Sequence, residues 1–261
     1  MAGGECNQLN ESEWGSAHER WTIVGAKAEG NSHKKSGLPC QDFVGWTSLD
    51  DGTLILAAAD GAGSAEYSEQ GARNAVEGAL RVAPLLWCRP QMRADISRTT
   101  QAVFLAARLS VMREAVRIEK PPRSLASTLT VAIVSLLETC VGRVGDGLIA
   151  IQDGVSISSP MRHADREYAN EASFVTDRHW RNSLTLAVLE SREISGIALS
   201  SDGLRLVACS DVRTGTPFEP FFEDLFKAAE SGVSEEQLAR FLESVDDRTG
   251  DDKSLLVAVR G

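Results

Sequence analysis

The chain has 261 residues, of which 43% are hydrophobic and 25% charged. This composition is typical of a folded globular protein and excludes a disordered chain. The formal charge of -10 opposes binding to nucleic acid and to anionic membrane surfaces, so neither is an expected partner. The five cysteines include no CxxC pair and the amino terminus has no signal-peptide pattern, so we expect a cytoplasmic protein with reduced thiols.

The predicted elements follow a polar leader. Residues 1–20 have no apolar period, and we predict a flexible leader there and a single domain over residues 21–261. Strands are predicted from apolar and β-branched runs, and helices from apolar residues at helical spacing. In chain order we predict strands at 21–28, 43–47 and 53–59, helices at 68–87 and 94–119, strands at 127–137, 139–144, 148–152, 155–158, 184–189 and 196–200, helices at 220–229 and 235–245, and a strand at 254–259.

The order of these elements predicts the fold class. Two consecutive helices interrupt the strands, which argues against a regular alternation of strand and helix and therefore against a doubly wound parallel sheet. Strands, two helices, more strands, late helices and a closing strand indicate an α+β domain with helices outside packed antiparallel sheets. Residues 29–39 are predicted to form a loop, and residues 160–184 a flap beside any cleft.

Aspartates follow or precede several predicted strands. Asp60, Asp146 and Asp202 each precede a glycine at such a position, and Asp251 precedes the closing strand. Any one Asp-Gly pair is most simply a turn. Four carboxylates at the ends of neighbouring strands would instead form the hard oxygen cluster that Mg²⁺ or Mn²⁺ requires.

The order of these motifs resembles that of the metal-dependent protein phosphatases of the PP2C type, in a divergent bacterial form. The resemblance runs from Trp21 to the end of the chain. The matching segments are Pro39-Cys40-Gln41-Asp42, Ala59-Asp60-Gly61-Ala62-Gly63, Gly71-Ala72, Ala126-Ser127-Thr128-Leu129, Val144-Gly145-Asp146-Gly147, Ile197-Ala198-Leu199-Ser200-Ser201-Asp202-Gly203 and Asp251-Asp252-Lys253-Ser254.

The resemblance implies a four-layer αββα sandwich and a protein serine/threonine phosphatase. Its substrate would be a phosphorylated protein, and its partner a cognate Ser/Thr kinase or the targets of that kinase. Two Mn²⁺ or Mg²⁺ ions would activate the attacking water, which makes Asp60 and Asp202 the residues on which catalysis depends. The metal ligands implied are Asp60 as the bridge, the Gly61 carbonyl, Asp202, Asp251, Asp146 for a weaker third ion, and either Gln41 or Asp42.

Three positions depart from the family pattern. Gln41 stands where the family has a metal-coordinating Glu, Ala62 replaces a His proposed to protonate the leaving group, and Gly37 replaces a phosphate-binding Arg. His33 and Lys34 are therefore the candidate substrate-binding residues. These departures leave an alternative open, namely a catalytically weak module that binds a phosphoprotein or a kinase. Hydrolysis of a small phosphoester is a third possibility.

Overall fold

The computed structural model describes residues 21–154, 156–161, 173–245 and 249–261. Two five-stranded sheets, with strand orders β1-β12-β9-β6-β7 and β2-β3-β4-β5-β8, form the centre, and β10 pairs with β11 separately. All strand pairs are antiparallel. The strands are β1 (Trp21–Ala28), β2 (Phe43–Ser48), β3 (Leu54–Ala59), β4 (Leu129–Val134), β5 (Glu138–Val144), β6 (Leu148–Gln152), β7 (Ile157–Ser158), β8 (Thr185–Glu190), β9 (Gly196–Ser200), β10 (Cys209–Asp211), β11 (Thr216–Pro217) and β12 (Lys253–Arg260).

Helices cover the outer face of each sheet. The helices α2 and α4 pack together on the sheet of β2 to β5, and α7 and α8 pack on the other sheet against β12 and β1. The helices are α1 (Asn31–Ser36), α2 (Ser68–Trp87), α3 (Pro90–Arg93), α4 (Ile96–Arg117), α5 (Trp180–Ser183), α6 (Arg205–Ala208), α7 (Glu219–Glu230) and α8 (Glu235–Ser244). None of the helices that the structure describes combines the length and apolar character needed to cross a bilayer.

The residue alternation of β3 shows how the layers are built. All six residues of β3 are buried. Ile55, Ala57 and Ala59 pack against the helices α2 and α4. Leu54 and Leu56 instead pack against residues of the sheet that contains β6, β9 and β12. Successive side chains of a strand point to opposite faces, so an uninterrupted apolar run is what a strand between two packed layers requires. The α+β prediction and the αββα sandwich are confirmed.

The predicted boundaries differ from the observed ones where side chains change the local structure. The predicted loop at 29–39 contains the short helix α1, which ends at Gly37 in the left-handed conformation with φ of 65°. The helix predicted from residue 94 begins at Ile96, because the Asp95 side chain accepts a hydrogen bond from the Arg98 amide at 2.9 Å and caps it. The predicted leader at 1–20 lies outside the described residues, as does part of the predicted flap, 162–172.

Candidate metal centre and catalytic cleft

Aspartates from both sheets meet in one cleft of about 640 Å³. Asp60 follows β3, Asp146 lies between β5 and β6, Asp202 follows β9 and Asp251 precedes β12, and all four line the cleft together with Gly61. The cleft therefore lies where ends of the two sheets come together. The four aspartates that the sequence analysis proposed as a cluster therefore line one cleft.

The Asp60-Gly61 turn is held in place by the segment before β4. The Thr128 amide donates to the Asp60 carbonyl at 2.8 Å, and the Asp60 amide donates to Thr128 Oγ1 at 3.0 Å. The Ala62 amide donates to the Ala126 carbonyl at 2.9 Å, and Gly61 forms a bridge with Ser127. The motif that contains Asp60 and the motif at 126–129 therefore hold each other through backbone hydrogen bonds, and these bonds position Asp60.

Asp42 is the buried member of the cluster. Its side chain is fully buried and lies against the Asp60 carboxylate. Ser201 and Ser254 are close enough to lower its pKa, but neither of its oxygens accepts a hydrogen bond of good geometry among the described residues. Burial raises the pKa of Asp42 to about 6, and repulsion from Asp252 acts in the same direction. A buried carboxylate whose hydrogen bonding is incomplete would be stabilised by a nearby cation.

Burial and mutual repulsion also raise the pKa values of the other central carboxylates. The pKa of Asp60 is well above its usual range because of burial and then repulsion from Asp42 and Asp202. The pKa of Asp202 is raised to about 7 by burial and by repulsion from Asp146 and Asp251. Arg205, whose Nη1 lies 3.9 Å from Asp146 Oδ2, partly offsets this repulsion. The cleft is thus too acidic to be fully ionised by itself.

This donor set fits a hard divalent cation. It is made of carboxylate and carbonyl oxygens, the ligands that Mg²⁺ and Mn²⁺ prefer. Among the described residues, no three His, Cys, Asp or Glu side chains surround a single point as closely as the ligands of a bound ion do. The residues that could hold a cation are those that contribute oxygens to the cleft lining, namely Asp60, Gly61, Asp146, Asp202 and Asp251, with Asp42 buried against Asp60.

The two adjacent aspartates before β12 have different surroundings. Asp251 is exposed and lines the cleft, whereas Asp252 is 2% exposed and contacts the segment between β1 and β2. Asp252 accepts hydrogen bonds from the Gly30 amide at 2.7 Å and the Gln41 amide at 2.6 Å. Its other contact is with Nδ1 of His33 at 2.7 Å.

Close backbone packing fixes this segment. A Cβ atom at Gly203 would collide with the Asp252 carbonyl oxygen, and one at Gly30 would collide with the Asp251 carbonyl group. Gly203, the glycine of the Ser-Ser-Asp-Gly motif, is therefore needed because the Asp252 carbonyl packs directly against it, and not only because of the turn. Asp252 is a structural residue that the sequence analysis missed, and its place beside Asp251 in the closing motif was the available signal.

The predicted substrate-binding residues are not among those that line the cleft. His33 is engaged with Asp252, and Lys34 is exposed on α1. Gln41 is buried, and its side-chain oxygen Oε1 has no hydrogen-bond partner in the described part of the chain. Of the Gln41-Asp42 pair, Asp42 is the one whose carboxylate contacts Asp60.

Two further cleft residues come from the end of the predicted flap. Phe174 and Asp177 line the cleft, and the Asp177 carboxylate accepts a hydrogen bond from the Phe174 amide at 2.7 Å. Arg108 of α4 holds this segment by donating to the carbonyls of Val175 and Asp177. No motif marks these residues, so the sequence gives only the position of the flap.

Comparison with known proteins places the chain in a family. The family model described as Protein phosphatase 2C matches residues 29–243. Serine/threonine-protein phosphatase 3 of Escherichia coli (strain K12) is 30% identical over 251 residues, which cover 92% of this chain and 98% of that protein.

Solved structures show the same fold. A bacterial serine phosphatase superposes with a TM-score of 0.66 at 12% identity, covering 92% of this chain and 97% of that one. The serine/threonine phosphatase Stp1 from Staphylococcus aureus superposes with a TM-score of 0.63 at 14% identity, covering 98% of this chain and 100% of that one. The family match, the relative over nearly the whole length and the shared fold agree: the chain belongs to the protein phosphatase 2C family.

Proposed function

We propose that this chain is a metal-dependent protein serine/threonine phosphatase. The observation that carries the proposal is the convergence of Asp60, Asp146, Asp202 and Asp251 on one cleft, with Asp42 buried against Asp60. Such a cluster is costly for a folded protein to maintain unless cations neutralise it. A module that only binds a phosphoprotein has no need for this arrangement, and family membership does not favour that alternative.

The residues of the cleft have distinct proposed roles. Asp60, the Gly61 carbonyl, Asp202 and Asp251, which line the cleft, would together hold two Mn²⁺ or Mg²⁺ ions. When bound, two such cations lower the pKa of a water molecule and neutralise charge on phosphoryl oxygens. Asp146 would assist a weaker third ion. Asp42, not Gln41, is the better candidate for the remaining ligand, because its carboxylate contacts Asp60.

The protein side chains supply positioning more than proton transfer. Ala62 lines the cleft and offers no acid for the leaving group, so that proton would come from solvent. Phe174 and Asp177 would form a wall of the cleft beside the substrate, and Arg108 would hold them in place. The roles of His33 and Lys34 in phosphate binding stay predictions, since neither lines the cleft.

The proposed substrate is a phosphoprotein, and a cognate Ser/Thr kinase or its targets would be the partners. The Escherichia coli relative is named a serine/threonine-protein phosphatase, which supports this substrate class. A cytoplasmic location stays a prediction from the sequence.

The test is phosphate release from a phosphothreonine peptide in EDTA and in Mn²⁺, with a phosphotyrosine peptide of the same sequence as the substrate control. We expect release that requires Mn²⁺ and favours phosphothreonine, and we expect the Asp202→Asn variant to lose it. A folded, Mn²⁺-loaded protein that releases no phosphate would support the binding-module alternative. Equal release in EDTA would contradict the metal mechanism.

A further inference from the structure

A second, apolar depression lies outside the cleft. It has a volume of about 320 Å³ and is formed by α7, α8 and the outer face of the sheet at β1 and β12. Its floor includes Val24 and Val257, and Asp224 is the single charged residue among those that line it. No residue lines both this depression, which we call the α7–α8 groove, and the catalytic cleft.

Aromatic rings form walls of the α7–α8 groove. The Phe221 and Phe241 rings lie with centroids 6.2 Å apart and an interplanar angle of 40°. Phe241 is 37% exposed, and Phe218, at the start of α7, is 45% exposed. Exposed aromatic side chains beside an apolar depression are typical of a surface that a partner covers.

The helices around the groove are strongly acidic. Residues 219–245 include seven acidic and two basic side chains, and all seven acidic residues are exposed. The two basic residues are already matched within their helices: Lys227 lies 3.4 Å from Glu223, and Arg240 lies 3.8 Å from Glu236. The remaining acidic side chains form no ion pair within the described residues; they are Glu219, Asp224, Glu230, Glu235 and Glu243.

Helix stability explains only part of this charge. Glu219 and Glu235 lie in first turns, where a carboxylate complements the helix macrodipole. Glu230 ends α7 and Glu243 is the residue before the end of α8, where a carboxylate opposes the dipole. These two carboxylates gain nothing from the helix dipole, and they add to the net negative charge of α7 and α8.

We propose that the α7–α8 groove docks a basic segment of a partner protein that carries apolar side chains. Its apolar side chains would fill the space beside Phe221 and Phe241, and its Lys or Arg residues would face Asp224 and be attracted by the other exposed acidic side chains of α7 and α8. Charge complementarity makes this choice of occupant. Residues 1–20 of the chain itself contain four Glu and one Arg, and their charge does not suit the groove.

A second copy of the chain is the rival occupant. Two copies that met through the same acidic face would repel each other. The basic layer of α2 to α4, with eight Arg and four acidic residues between 68 and 117 and with Leu109 55% exposed, has the complementary charge. That contact would join different faces and would build open chains instead of a closed dimer. Sedimentation of the wild type tests this rival directly.

The probe is a fluorescein-labelled model peptide of about 16 residues with leucines at helical spacing and lysines elsewhere. A peptide with glutamate in place of each lysine is its control. We expect the wild type to bind the lysine peptide only. Phe241→Ser should weaken binding at least about tenfold, and Asp224→Asn about threefold.

Matched variants on other surfaces separate docking from general attraction. Leu109→Ser removes an exposed apolar side chain from α4, and Glu190→Gln removes an exposed charge from β8. Both should bind the peptide as the wild type does, and p-nitrophenyl phosphate hydrolysis should be unchanged in all four variants. If Phe241→Ser fails to fold, Asp224→Asn against Glu190→Gln carries the comparison.

Three results would overturn the proposal. One is equal binding by Phe241→Ser and the wild type. Another is equal weakening by the control variants, which would show non-specific attraction to an acidic protein. The third is self-association of the wild type that Phe241→Ser abolishes, which would make a second copy the occupant. Because the readout is peptide binding, none of these outcomes depends on whether the phosphatase proposal holds.

Discussion

Asp251 and Asp252 are adjacent in sequence, and replacing each one is expected to change stability in a different way. Asp252→Ala would remove the acceptor for the Gly30 amide, the Gln41 amide and His33. Leaving a buried donor without a partner costs about 1–3 kcal/mol, and a hydrogen bond to a charged group contributes about 1.5–3 kcal/mol. Because the three contacts share one carboxylate, we expect the free energy of unfolding to fall by about 3–5 kcal/mol in total, not by their sum.

Asp251→Asn is the matched control. Asp251 is exposed, and its charge raises the pKa values of Asp60 and Asp202, so its removal relieves repulsion. The Asn side chain keeps an oxygen in place of Asp251 Oδ1, which accepts from the Asp252 amide at 2.9 Å. In EDTA we expect the free energy of unfolding to change by less than about 0.5 kcal/mol or to rise.

The assay is urea unfolding in EDTA near neutral pH, followed by circular dichroism. Asp252→Asn serves as an intermediate, because an amide keeps one acceptor oxygen but presents donors to the remaining partners. The expected order of stability is Asp251→Asn, then Asp252→Asn, then Asp252→Ala. An Asp252→Ala protein as stable as the wild type would refute the assignment of Asp252 as the anchor of the Gln41-Asp42 segment.

Three other outcomes are expected. In EDTA the free energy of unfolding should fall by about 2–4 kcal/mol from pH 5 to pH 8. The reason is that Asp42 and Asp202, with pKa values of about 6 and 7, bind protons in the folded state that the unfolded chain has already released. Urea titrations at each pH measure this, and a free energy of unfolding that rises with pH would contradict it. Asp60→Asn and Asp202→Asn should each lower turnover at least about a hundredfold with folding retained, which steady-state kinetics and thermal melting check together. Arg108→Ala should raise the KM for a phosphopeptide about threefold and leave kcat nearly unchanged, because it removes the side chain that holds the segment carrying Phe174 and Asp177. An unchanged KM would show that this segment does not contact the substrate.

The sequence was sufficient for the elements that bury apolar residues. The run at β3 is buried on both faces, and its period of two matches the two layers that cover it. The helix α1 was missed because it buries no residue and has no apolar face to mark it. Its contacts are instead to a distant segment, through the Ser32 amide and the Gly250 carbonyl at 2.8 Å.

In the candidate site, too, the sequence predicted the residues that local patterns mark and not those whose role depends on distant contacts. Aspartates at strand ends could be found because both the strand and the following turn leave a pattern in the sequence. The role of Asp252 depends on partners more than 200 residues away in the chain, and nothing local indicates them. His33 was expected to receive a phosphate group because it lies in a polar segment near Gln41, and only the fold shows that Asp252 faces it.

The carboxylates of the cleft are the proposed ligands of divalent cations, and a calorimetric titration of Mn²⁺ into EDTA-treated, dialysed protein measures this binding. We expect saturable binding to the wild type and a clear loss of affinity in Asp60→Asn, while the circular dichroism spectrum stays the same. Equal Mn²⁺ affinity for the two proteins, or no binding to the wild type, would contradict it.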